Sequence, residues 1–188
     1  MPHFSDEIED LEFRLADNPD KVKAENYNAW LAWTIYRRTI EKLRREPIED
    51  FRIDFEDGYG LRTDAEEDRD ALTASNELAK ALHEQTIPPF CGFRIKSFAP
   101  ETYKRAIRTL DLFLTNLIEK TDGKLPENFV VTLPKITRKE EVAMLDALLA
   151  EFEKQNKLEN GAGKIEIMIE MPQAIVNEKG EIALRGIG

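Results

Sequence analysis

Four short segments in which apolar and polar residues alternate are separated by long stretches of helical pattern: FRIDFEDG at 51–58, CGFRIKS at 91–97, FVVTLPK at 129–135 and KIEIMIEMP at 164–172. Alternation with a period of two marks strands, and strands that follow one another through helices run parallel with right-handed crossovers. The order of elements therefore restricts the chain to an α/β fold with a parallel sheet. Residues 1–50 are helical by pattern and precede the first strand, so the expected plan is a helical N-terminal segment followed by βα units over 51–188.

The helix boundaries carry their own signals. Ser5 is a candidate cap for a first helix, and Asn18-Pro19 is a break that starts a second one, expected to run from about Lys21 to Arg45. Its residues Trp30, Trp33, Ile35, Ile40 and Leu43 fall near helical spacing and suggest a buried stripe, and RREPIED at 44–50 closes it. Thr63 and Glu66 stand in capping-box spacing, as do Thr137 and Glu140 before a helix through Phe152, while Pro100 suits the first turn of a helix ending near Lys120.

The 188 residues suffice for one domain with a real core. The net charge of -10 disfavours nucleic acid and anionic membranes as partners, because both would repel the chain. Cys91 is the only cysteine, which excludes an internal disulfide and a cysteine-based zinc site. The N-terminal residues lack the basic and apolar regions of a signal peptide, so a soluble cytoplasmic chain is expected.

Strand parity then assigns faces. Phe93, Ile95, Ile165, Ile167 and Ile169 would pack on helices, leaving Arg94, Lys96, Glu166, Met168 and Glu170 on the opposite face with Asp54 and Glu56. Asp54, Glu56, Arg94, Lys96 and Glu170 would converge near one edge of the sheet, with Lys135 arriving at the end of a further strand. Carboxylates beside cations are costly to bury unless each has a partner, so the cluster is either a closed ion-pair network or a ligand site. Oxygen-rich carboxylate sites suit Mg²⁺, and an arginine fork suits a substrate carboxylate.

FRIDFEDG, the FRIK strand, LPKITRKEEV and IEIMIEMPQAIVN, in that order and spacing, resemble the citrate lyase β-subunit-like, or HpcH/HpaI aldolase, family over about residues 51–177. The resemblance implies a barrel of the phosphoenolpyruvate/pyruvate-binding type and a Mg²⁺-dependent carbon-carbon lyase or aldolase. Its substrate would be a keto acid or an acyl thioester of the acyl-CoA kind, handled through an enolate. It further implies that Arg94 binds the substrate carboxylate and that Glu170 is a metal ligand. Glu56 and Asp57, with Asp54 beside them, would support the site from behind, and Lys135 would match the catalytic lysine of a Pro-Lys motif. The family's first strand would precede Met1 and its second metal-binding aspartate would follow Gly188. The chain, 1–188, is then expected to be one incomplete domain: a partial (β/α)₈ TIM barrel with about four parallel strands. A complete barrel typically takes ~250 residues.

Two other readings stay open. One is a phosphoenolpyruvate-using phosphotransferase of the same barrel type. The other is a non-catalytic truncated barrel that binds a ligand or a partner chain. An open half-barrel exposes sheet edges, so a homo-oligomer or completion by another polypeptide is expected. His3 and His83 lack the neighbours that a metal site needs, and Gly58 and Gly60 are turn glycines without a phosphate-binding pattern.

Overall fold

The computed structural model describes residues 4–176 and 179–183, with side chains from residue 10 onward; His3 and the side chain of Ser5 lie outside this set. The chain divides into two compact units, Met1–Ile48 and Glu49–Gly188.

The first unit holds three helices: α1 (Phe4–Asp17), α2 (Pro19–Glu25) and α3 (Tyr27–Arg45). Asn18 starts α2 by accepting the Lys21 N–H, with Pro19 at the first helical position. The single helix expected over Lys21–Arg45 is two helices. Asn26 ends α2 and caps α3 by accepting the Ala29 N–H, and its extended backbone breaks the run. The expected stripe on α3 is corrected as well: Trp30, Trp33 and Ile40 are half-buried, whereas Ile35 and Leu43 are exposed. At 3.6 residues per turn Ile35 falls about 140° from Trp30, on another side of the helix.

The second unit is built from β1 (Asp50–Asp54), α4 (Asp64–His83), β2 (Phe90–Arg94), α5 (Tyr103–Lys120), β3 (Phe129–Leu133), α6 (Lys139–Asn156), β4 (Lys164–Ile167) and α7 (Pro172–Ile175). The four strands form one parallel sheet in the order β1-β2-β3-β4. This is the mixed α/β architecture, with parallel strands preceded by N-terminal helices, that the alternation predicts. Thr63 caps α4 through a complete capping box with Glu66. The second expected box is shifted by one residue: Thr137 donates its N–H and its hydroxyl to Glu141, because α6 starts at Lys139 and places Glu141, rather than Glu140, within reach.

One face of the sheet makes the core. Phe55, Phe93, Ile95, Phe129, Val131 and Leu133 are buried, and they join Leu78 of α4, Leu110, Phe113 and Leu117 of α5 and Leu145 of α6 in one cluster. Phe93 stacks on Phe113 with ring centroids 4.1 Å apart. Cys91 is part of this core, and burial pushes its thiol up to about 11, which keeps it protonated and unreactive. The strands are close enough that a Cβ on Gly92 would come within 2.1 Å of the Val130 carbonyl oxygen, so glycine is required there. Among the described residues no helix is long and apolar enough to cross a membrane.

Candidate functional site

The opposite face of the sheet carries charge, and its side chains meet across strands. Lowest on it, Arg52 of β1 donates from Nε (3.3 Å) and Nη2 (3.1 Å) to Glu166 of β4, which also accepts the Thr132 hydroxyl at 2.6 Å. Hydrogen bonds from Arg52 hold the Glu166 carboxyl below the usual range, with burial opposing and Thr132 assisting. The residue beside Arg52 on β2 is Gly92, so no side chain from that position stands in its way. Arg52 and Glu166 share the parity of Asp54 and Glu170, but their pairing, which skips two strands, has no signature in one sequence.

One step up, Asp54 faces Arg94. Arg94 Nε donates to Asp54 Oδ1 at 2.7 Å, and Nη2 donates to Oδ2, a fork-on-fork pair. Asp54 also accepts the Glu56 N–H at 2.9 Å and the Gly58 N–H at 2.8 Å, so both oxygens are saturated. A Cβ on Gly58 would come within 2.5 Å of Asp54 Oδ2, which explains the Asp-Gly step in FEDG. The arginine fork, then the two backbone donors, pull the Asp54 carboxyl down to about 2 against the opposing effect of burial. The arginine proposed from sequence for a substrate carboxylate thus already grips a carboxylate of its own chain. Its Nη1 donates to the sulfur of Met168 at 3.6 Å.

This arrangement makes the ion pair sensitive to acid. With its folded value near 2 and an ordinary value of 3.8, Asp54 stabilises the fold above about pH 4, and that contribution is lost as pH falls through about 2. At this partly exposed position the contribution is on the order of 1 kcal/mol. Denaturant melts of wild type should weaken across that window, and Asp54→Asn should show a shallower pH dependence there. An identical dependence in the two proteins would contradict the assignment.

At the carboxyl ends of the strands, Lys135 reaches from the end of β3 to the turn after β1. Its Nζ donates to Glu56 Oε1 and, at 2.7 Å, to Asp57 Oδ1. Hydrogen bonds to Asp57 and then Glu56 raise the Lys135 ammonium above its ordinary value, and the same contact lowers Asp57. The Lys135 backbone N–H donates to Glu170 Oε1 at 2.8 Å, and among the described residues Glu170 Oε2 accepts no hydrogen bond. Asp54, Glu56, Asp57, Arg94, Lys135 and Glu170 are therefore linked by hydrogen bonds and ion pairs around one edge of the sheet. A cavity of about 260 Å³ opens beside Glu56 and Asp57, lined also by Lys96, Ser97 and Thr102.

Lys96 does not join the polar face as parity predicts. β2 ends at Arg94, and the Lys96 ammonium turns over the end of β1 to the Phe55 carbonyl (2.6 Å) and Glu67 (2.7 Å). Glu67 is buried at the start of α4, where it also accepts the Thr109 hydroxyl at 2.6 Å and lies 3.5 Å from Arg105 Nε. Nothing in DAEEDRD distinguishes this glutamate from its exposed neighbours.

The donors available to a metal are few. Cations of the chain engage Asp54, Glu56, Asp57 and Glu166, and among the described residues no group of three or more His, Cys, Asp or Glu side chains could hold an ion. At the strand ends Glu170 Oε2 and Asp57 Oδ2 each accept no hydrogen bond among the described residues. A hard cation such as Mg²⁺ would need further oxygen donors from water or a ligand beside either carboxylate.

No curated protein and no solved structure matches the chain. A family model does, over residues 6–187, and that span places the chain in the family described as the domain of unknown function DUF6986.

Proposed function

We propose that the chain is the wall of a partial (β/α)₈ TIM barrel. We further propose that its mouth serves a Mg²⁺-dependent carbon-carbon lyase or aldolase reaction of the citrate lyase β-subunit-like kind, on a keto acid or acyl thioester. The observation that carries this reading is the joining of four strand ends by side-chain contact: Asp54 to Arg94, Glu56 and Asp57 to Lys135, and Lys135 to Glu170. Sheet order supports the barrel, since strands that follow their sequence order without a reversal belong to singly wound rather than doubly wound α/β folds.

In this reading Arg94, held by Asp54, offers Nη1 to one oxygen of the substrate carboxylate and orients it. Glu170 supplies a carboxylate oxygen for the cation. When bound, Mg²⁺ supplies Lewis-acid polarisation of the keto oxygen onto which the electron pair of the broken carbon-carbon bond is delocalised. Lys135 pairs with Glu56 and Asp57 and offsets one of their two negative charges. β1 and β4 are the edges of the described sheet, which favours association with a second copy or another polypeptide.

A non-catalytic ligand-binding barrel is the second reading, favoured by the occupation of the Arg94 fork by Asp54. Calorimetric titration with Mg²⁺ separates the two. Wild type should bind the ion and Glu170→Ala should bind it at least about tenfold more weakly. Equal affinity in the two proteins would remove Glu170, and with it this metal-dependent reading.

A further inference from the structure

α3 is a helix of 19 residues without one fully buried side chain. Helices in folded proteins draw most of their stability from packing an apolar face, so a long helix in this state leaves a face without a partner. The exposures identify that face. Tyr27, Leu31 and Ile35 are exposed and follow one another at i, i+4 spacing, and Arg38 and Arg45, also exposed, continue the same stripe toward the carboxyl end. Leu43, between the two arginines, is 53% exposed.

The charge on this stripe departs from that of the rest of the chain. With 37 acidic against 27 basic residues an arginine has carboxylates to spare, and Arg52, Arg94, Arg105 and Arg108 each pair with one. Arg38 has no ion-pair partner among the described residues, and Arg45 comes only within 3.9 Å of Glu46. α1 carries the opposite pattern on its outward side. Asp10, Phe13 and Asp17 are exposed there, Phe13 by 74%; Asp17 has no ion-pair partner among the described residues, and Asp10 meets Arg14 only at 3.9 Å. Asp10 and Asp17 are spaced as Arg38 and Arg45 are, so both pairs rise by the same ~10.5 Å, and each brackets an exposed apolar side chain.

We infer that the outward face of α3 is a self-association surface, covered by α1 of a second copy of this chain: Asp10 and Asp17 of that copy face Arg38 and Arg45, and its Phe13 ring covers Ile35 and Leu43. Each copy has both helices, so the contact is made twice about a two-fold axis and gives a closed dimer. Apolar burial supplies affinity, and the matched charges set the register. This contact is independent of the chemistry proposed for the strand ends.

Sedimentation equilibrium of the full chain over a dilution series tests it with two charge-reversed variants, Arg38→Glu/Arg45→Glu and Asp10→Lys/Asp17→Lys. All four positions are exposed, and circular dichroism with a thermal melt establishes that each variant is folded. Wild type should sediment as a reversible dimer. Each variant alone places like charges across both seams and should dimerise at least about tenfold more weakly than wild type. An equimolar mixture, with one variant fluorescently labelled, restores opposite charges at both seams and should dimerise within roughly threefold of wild type. A wild-type monomer throughout the series would overturn the inference, as would a mixture no tighter than its components. Variants that each dimerise as tightly as wild type would place the contact elsewhere, such as the open edges of the sheet, and would overturn it too.

Discussion

Phe93→Ala should lower the unfolding free energy by about 3–5 kcal/mol, the range for truncating a fully buried aromatic side chain. Phe93 has no exposed surface, stacks on Phe113 at 4.1 Å and lies 5.9 Å from the Phe129 ring and 6.3 Å from that of Phe55. Its removal would strip contacts from Phe55 just after β1, from β3 and from α5 at once and leave a cavity that the rings around it fill only in part. Urea unfolding should show a lower midpoint with an unchanged slope, since the same surface is exposed on unfolding. A loss under about 1 kcal/mol would mean that the helix-facing side of the sheet is not the main core.

Both faces of the sheet come from a single alternation, and this explains what a sequence reader can and cannot see. Period-two patterning separates Phe93 from Arg94, and the same rule gives Arg52, Asp54 and Glu166 a common face, because side-chain direction is a local property of an extended backbone. The rule fails where the strand stops. Lys96 lies two residues beyond Arg94 and turns to Glu67, a partner fixed by how α4 packs rather than by parity. Local capping chemistry was likewise legible at Thr63, whereas Asn26 was hidden inside an apolar pattern that continued across it.

Pairings across strands depend on register and curvature, which no single segment encodes. Arg52 with Glu166, and Lys135 with Glu56 and Asp57, each join residues far apart in the chain. The clamp on Arg94 is the most consequential of these. Asp54 and Arg94 sit opposite each other in the β1–β2 register, so the sequence brings both to the same edge but does not say that they engage each other first. A ligand carboxylate would therefore meet an arginine already oriented by its own chain, with Nη1 resting on the Met168 sulfur. Such a group is preorganised for end-on contact with one oxygen rather than for a two-pronged grip.

The reading of this mouth as a site of enolate chemistry has one direct consequence. Where solvent or a side chain takes up the proton, stabilising the enolate of a keto acid exchanges the protons next to the keto group with solvent. In D₂O with Mg²⁺, wild type should deplete the methyl proton signal of pyruvate, followed by nuclear magnetic resonance, well above the rate with the ion alone. Chelating the Mg²⁺ should abolish the difference, and Glu170→Ala should slow it by about 10²–10³, the scale for losing a group that stabilises developing negative charge. A wild-type rate equal to that of Mg²⁺ alone, or an undiminished rate in Glu170→Ala, would contradict the assignment of this strand edge to metal-assisted carbon-carbon chemistry.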